Sequence, residues 1–308
     1  MKILFPSRED HPYKVNESFE LEYNAANSVG LQAYIFDENR FLKSGVLSHS
    51  APLAQPGDFL ILRSWMLKIN DYENLCESML NQFGYNLIND KFQYTSCHHS
   101  HSVHHLFGNN TPREVAIPNL TVPLFEKIIT DNVLENYLDK MRNEFKSDCF
   151  ILKDSVKSEK HIPELFIIPL SITGKEFKEL LVKFIAERGS LYNNGLVFKE
   201  FVALKKNKAG IVNEWRNFVF NGEIISSHQN TGLNSSEVNK PDITWIKSMI
   251  QNIPSNFFTI DVAEKENGSW TIIETGDGQV SGLSPGQNEL EFYDNLKNEL
   301  SFTKYHHE

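Results

Sequence analysis

The sequence predicts an α/β chain of two domains, and three observations predict it. It opens β-α-β: an apolar run over Lys2–Pro6, a helix over 16–29 with Asn16 as its cap and Gly30 after its end, then a second apolar run over 31–36. That order is the unit of a parallel sheet. Short apolar runs then alternate with capped amphipathic helices to about residue 300. Finally, Asn267-Gly268 divides two apolar runs within 257–283, and Asn-Gly between such runs signals a hairpin, because a type I′ turn needs φ > 0 at both central positions. At 308 residues the chain is long enough for two domains.

Each element has a local reason. No G-x-G-x-x-G follows the first strand, which excludes the dinucleotide fingerprint. A third apolar run covers 59–63. Asn70, with Glu73 three residues on, starts a helix that ends before Gly84, its apolar face made by Leu75, Met79, Leu80 and Phe83. A strand follows over 85–88. The turn-rich Asn109-Asn110-Thr111-Pro112 marks the domain boundary, giving an N-terminal α/β domain over 1–110 and a second domain over 111–308. Helices are expected over 122–129 and, capped by Asp131, over 132–145. A strand over 149–152 leads into the basic stretch 153–161. Thr173 and Glu176 form a capping box for a helix over 175–188, stopped by Gly189. Strands over 196–204, 214–220 and 223–226 come next, the last two joined at Asn221-Gly222. A helix over 243–253, the hairpin and a helix over 289–300 complete the chain.

Composition narrows the function. The net charge of −10 argues against broad nucleic-acid binding, which needs Lys and Arg to neutralise phosphates. The three cysteines, Cys76, Cys97 and Cys149, imply no disulfide framework. The start has no signal-peptide pattern, and no run is long enough to span a membrane, so a cytoplasmic location is expected. The sequence leaves the oligomeric state open.

Three stretches carry candidate chemistry. With a two-residue loop at Asn267-Gly268, Glu266 pairs with Ser269 and Asp261 falls opposite Glu274, ~5 Å apart at Cβ. Two facing carboxylates call for a cation. With Asp277 three residues on, the oxygen donors suit Mg²⁺ or Mn²⁺; the competing reading is a solvated hairpin face. The basic stretch places Lys153, Lys157, Lys160 and His161 at a strand end, where α/β proteins hold ligands and where Lys can meet phosphate; here too the alternative is a solvated face. Glu214, Arg216, Phe218 and Phe220 share one strand face. His98, His99, His101, His104 and His105 offer either a transition-metal site or a polar loop; they fit no standard zinc spacing, which favours the loop, and a single histidine touching substrate is favoured over a zinc cluster.

Taken in order, LRSWML (62–67), ILKDSVKSEKH (151–161), FKEFVAL with NEWRNFVFNGEIISS (198–227) and the 257–283 hairpin resemble the ATP-grasp fold, in particular the clade named for one Arg and two Lys residues. KILFPS and LQAYIFD are similar to that clade's N-terminal domain. The resemblance implies α+β subdomains with ATP between them. It implies that Lys153 contacts the α- and β-phosphates, Lys157 lies over the phosphates, and Glu200, Phe201 and Val202 grip the adenine. Arg216 would face the γ-phosphate or acyl phosphate, Asp261 and Glu274 would bind Mg²⁺, and Arg63 would recognise substrate. The family's Glu-x-Asn metal motif reads Glu274-Thr275-Gly276-Asp277 here, which leaves Asp277 as the substitute third ligand. The implied activity is a ligase joining a carboxylate to an amine, with an amino acid or a peptide or protein terminus as substrate. Phosphoryl transfer to a hydroxyl or nucleic-acid end, and a non-catalytic nucleotide-binding module, are the rivals.

Overall fold

The computed structural model describes residues 2–231 and 238–305. In chain order the elements are β1 (Lys2–Pro6), α1 (Glu20–Ser28), β2 (Gln32–Phe36), α2 (Glu38–Ser44), β3 (Phe59–Leu62), α3 (Ile69–Phe83), β4 (Asn86–Leu87), α4 (Lys91–His98), α5 (Ser100–Val103), β5 (Glu114–Pro118), α6 (Val122–Ile128), α7 (Asp131–Glu144), β6 (Cys149–Asp154), β7 (Ile167–Pro169), α8 (Gly174–Arg188), β8 (Gly195–Glu200), β9 (Glu214–Phe220), β10 (Glu223–Gln229), α9 (Ile243–Ile250), β11 (Phe257–Glu264), β12 (Trp270–Asp277) and α10 (Glu289–Tyr305). The mixed α/β class follows the expectation. Among the described residues no helix is long and apolar enough to cross a membrane.

Cap chemistry fixes several ends. Asn16 accepts from the Ser18 amide, though the turn it opens is 3₁₀ before α1 begins. The Thr173 and Glu176 capping box forms. Lys68, not Asn70, precedes α3, and Thr130, not Asp131, caps α7 through the Val133 amide. The histidine stretch is largely helical rather than a loop.

Compactness divides the chain differently from the expected 1–110 and 111–308: one unit holds residues 1–98, 207–262 and 274–308, the other 99–206 and 263–273. The first contains the parallel sheet β2-β1-β3-β4. Strand alternation splits its core: Ile3 and Phe5 pack with Ala25, Ala26, Phe292 and Tyr293, while Leu4 packs with Leu60, Leu62, Leu75 and Met79. Phe218, Phe220 and Phe257, from the sheet ordered β10-β9-β11-β12, join the first of these clusters. The second unit contains the antiparallel sheet β5-β8-β6-β7, with α7 and α8 on one face. Its core centres on Phe150, Phe177 and Phe198, all fully buried and edge-to-face at 5.2–5.8 Å. Each such ring contributes about 1.5–3 kcal/mol by burial alone.

Candidate active site

The face of β9 that buries Phe218 and Phe220 ends in Arg216. β10 pairs with β9 antiparallel so that His228 lies directly opposite Arg216, on the same face. From β11, Asp261 reaches the same guanidinium: Arg216 Nε donates to Asp261 Oδ1 at 2.9 Å and Nη2 to Oδ2 at 2.7 Å. Burial alone would lower the Arg216 pKa, but Asp261, then Glu274 and Glu214, hold it above its ordinary value. The His228 Nδ1 lies 3.1 Å from the Gln229 carbonyl oxygen, which can only accept. In the neutral ring the proton therefore sits on Nδ1, leaving Nε2 as a lone-pair acceptor.

The hairpin turn is three residues long, not two. The Lys265 amide donates to the Ser269 carbonyl at 2.8 Å, the Gly268 amide donates to the Lys265 carbonyl at 2.9 Å, and Gly268 has φ of 83°. This is a type I turn followed by a left-handed glycine, so Lys265 rather than Glu266 faces Ser269. Asp261 and Glu274 nevertheless share a face. A Cβ on Gly276 would meet Thr259 Oγ1 at 2.9 Å, and one on Gly278 would meet the Phe257 ring at 2.7 Å. Pairs 259/276 and 257/278 continue by alternation to 261/274. Position 261 precedes 265 by four and 274 follows 269 by five, so one extra residue on β12 restores the pairing, as in a bulge. One side chain per strand thus forms a row across the sheet: His228, Arg216, Asp261 and Glu274.

Asp277 does not join that row. Three positions beyond Glu274, it points to the opposite face and is fully buried. It accepts from Asn89 Nδ2 at 2.6 Å and the Gln279 amide at 2.9 Å. Burial pushes its carboxyl up to about 7 against those hydrogen bonds. Gly276 cannot supply a ligand either, since a side chain there would collide with Thr259 and Ser281. Two carboxylates are left for a metal. Among the described residues no group of three His, Cys, Asp or Glu side chains could hold one. Two hard oxygen donors suit Mg²⁺, which keeps water and phosphate oxygens in its remaining positions.

Arg63 is also not placed to touch substrate. It is 1% exposed and pairs with Glu22 through Nε at 2.9 Å and Nη2 at 3.0 Å. Its Nη1 donates to the carbonyls of Gly278 at 2.6 Å and Ser281 at 2.9 Å. Its contacts hold the segment that leaves β12.

In the second unit, β6 and β8 pair so that Ile151 faces Lys199 and Lys153 faces Val197, which puts the two lysines diagonally on one face, opposite the aromatic core. Both are 7% exposed, and Lys199 Nζ donates to the Ile273 carbonyl at 2.6 Å. Sequence reading missed Lys199, although strand alternation from Val197 signals it. The basic stretch begins as ordered structure rather than a solvated face. Asp154 Oδ1 accepts the amides of Val156 at 2.7 Å and Lys157 at 2.6 Å, and Arg188 bridges Asp154 and Glu159, each at 2.9 Å. Lys157 thus stands on a pinned turn. Glu200, at the end of β8, accepts the amides of Lys146 at 2.5 Å and Arg113 at 3.3 Å. Glu200, Phe201 and Val202 line a cleft of about 710 Å³ with Arg113, Lys146 and Thr271. Lys140 lies on the exposed side of α7, 4.0 Å from Glu144.

Among the described residues the histidines belong to no group of three or more metal-ligating side chains. His98 lies 4.9 Å from the Tyr94 ring, and His104 Nε2 is 2.7 Å from the Pro112 carbonyl oxygen. His99 is buried, and burial, with His101 nearby, lowers its pKa to about 4.

Residues 128–296, more than half of the chain, match the family described as ATP-grasp domain, R2K clade family 3. The fold is similar to D-cycloserine synthetase DcsG (TM-score 0.60, 12% identity, 97% of this chain and 100% of that one). It is similar to D-alanyl-alanine synthetase A from Vibrio cholerae (TM-score 0.59, 10% identity, 98% of both chains). It is also similar to the ATP-grasp ligase PsnB, solved with a minimal precursor, Mg and ADP (TM-score 0.53, 11% identity, 97% and 98%). At these identities the likeness is one of fold. No curated protein matches the chain.

Proposed function

The chain belongs to the ATP-grasp domain family, R2K clade family 3, and from that premise we propose that it is an ATP- and Mg²⁺-dependent ligase joining a carboxylate to an amine through an acyl phosphate. The observation that carries the reading is the row His228, Arg216, Asp261 and Glu274, in which a guanidinium, a group suited to phosphate, stands beside two carboxylates of the kind that suit a hard ion. The synthetase and precursor-bound ligase named among its structural neighbours support an amino acid or peptide substrate.

In this reading the backbone of Phe201 and Val202 meets the adenine at the cleft. Lys153 and Lys199 neutralise the phosphates, and Lys157 reaches them from its pinned turn. Asp261 and Glu274 would hold Mg²⁺, which when bound offsets charge on the phosphates. Arg216 pairs with the transferring phosphoryl group, stabilising the charge that develops as a substrate carboxylate attacks. The attacking amine must then lose a proton, and His228 Nε2 is the lone pair on the row that can accept it. No protein nucleophile is required. Cys76 and Cys97 are poor ones, since burial raises their thiols far above the usual range.

The test is incubation with Mg-ATP, hydroxylamine and individual amino acids or short peptides, reading ADP and hydroxamate together. Hydroxamate in step with ADP is expected. A hydroxyl phosphoester with no hydroxamate would replace the ligase reading with phosphoryl transfer.

A further inference from the structure

Each of the three guanidinium nitrogens of Arg216 has a partner within the protein. Nε and Nη2 take both Asp261 oxygens, at 2.9 and 2.7 Å, and Nη1 donates to the Gly282 carbonyl at 3.0 Å. The Arg216 side chain keeps 20% exposure and that of Asp261 only 4%. This is the fork-on-fork arrangement of the strongest charge-assisted pairs. A bare divalent cation approaching Asp261 therefore meets a carboxylate already neutralised and a positive charge lying across both its oxygens. Drawing the carboxylate away would strip a mostly buried guanidinium of its paired anion, leaving only the more distant charges of Glu274 and Glu214. A nucleotide removes that obstacle, because a phosphate offers the guanidinium the same two-oxygen geometry that Asp261 does.

Resting on the assignment of Asp261 and Glu274 as metal ligands, we propose that Arg216 closes the Asp261 site to free divalent cations and opens it to the metal–nucleotide complex. Metal and nucleotide then bind as a coupled pair. The coupling is reciprocal: the nucleotide raises metal affinity by the factor by which the metal raises nucleotide affinity. Gly282 sharpens the device, since its carbonyl holds the third nitrogen and fixes the plane of the fork.

The experiment measures Mn²⁺ binding by the paramagnetic resonance of free Mn²⁺, with and without β,γ-imido ATP, in wild type and Arg216→Lys. Lysine keeps the charge but cannot span both carboxylate oxygens. Without nucleotide, Arg216→Lys is expected to bind Mn²⁺ at least roughly tenfold more tightly than wild type, and the analogue should tighten wild type more than the variant. Equal Mn²⁺ affinity in the two proteins without nucleotide overturns the proposal. Wild type alone supplies a second reading if the variant fails to fold. The Arg216 Nε–H nuclear resonance should stay in place with Mg²⁺ alone and move with Mg²⁺ plus the analogue; displacement by Mg²⁺ alone overturns the closure. Asp261→Asn separates this from the underlying assignment. If it binds the Mn²⁺–analogue complex as wild type does, the metal assignment falls and the closure with it. If it loses that complex, the assignment stands whichever way Arg216→Lys reads.

Discussion

Arg63 and Arg216 make nearly the same contacts and have opposite standing. Each forks onto one carboxylate, Glu22 or Asp261, and each donates its remaining nitrogen to carbonyls of the segment after β12. Arg63 lies in the core between Glu22 and Tyr293, whose hydroxyl donates to Glu22 at 2.6 Å. Arg216 lies at the polar end of a strand face, beside His228 and close enough to Glu274 to feel its charge. The difference lies in what surrounds the fork. An arginine sealed in the core holds a backbone, whereas one that keeps 20% exposure beside a second carboxylate and a histidine has, in the proposed reading, room to exchange its carboxylate for a phosphate. Hydrogen-bond geometry alone does not separate the two.

The sharpest way to break that comparison is Arg63→Met, which strands the Glu22 charge. It should destabilise the protein by about 3–5 kcal/mol, read by urea unfolding. Loss of turnover with unchanged stability would instead put Arg63 at the chemistry. Asp261→Asn and Glu274→Gln should each lower Mg-dependent turnover roughly a hundredfold or more in a protein that still folds, as circular dichroism would report; wild-type rates in both would remove the row from the mechanism. Lys153→Ala should weaken ATP binding about tenfold in a calorimetric titration, the loss of one charged contact. Unchanged affinity would leave the lysine face structural.

The smallest effect concerns Glu38, next to the Arg63 region. Burial pushes its carboxyl from 4.5 to about 7 against a hydrogen bond from Ser64. The folded protein keeps this proton to higher pH than the unfolded chain does. Its contribution is therefore complete below about pH 4 and declines as pH rises toward 7. Asp277, raised from 3.8 to about 7, has the same sign. Glu38→Gln keeps an acceptor for Ser64 and removes the titration, so it should flatten the fall in melting temperature between pH 5 and pH 8 (a window set by those shifts). An unaltered slope would mean Glu38 is ionised throughout.

Much of this was legible in the sequence where the cause is local. β1 and β9 are found at their expected bounds because short apolar or alternating runs fix them. Asn221 and Gly222 both take positive φ, at 48° and 84°, as a tight turn demands. The Asp261–Glu274 pairing emerged for an incomplete reason: the loop is longer than assumed, and the extra residue on β12 compensates, which no local pattern reveals. The burial of Arg63 and Asp277 was not legible because their partners, Glu22 and Asn89, are distant in sequence. His228 became visible only once β10 proved longer than the expected 223–226 and its register placed it against Arg216. α2 went unread because only Phe41 of its hydrophobic side chains is buried, which leaves no apolar stripe for periodicity to show.

The most direct test of the central claim is thermal unfolding with Mg²⁺ alone, ATP alone and both together, in wild type and Asp261→Asn. At 100 times its Kd, a ligand specific to the folded state adds ~2.7 kcal/mol, several degrees in a chain of this size. That shift is expected for wild type with both ligands, with little for Mg²⁺ alone and a smaller shift for Asp261→Asn with both. No shift with millimolar Mg-ATP would contradict it.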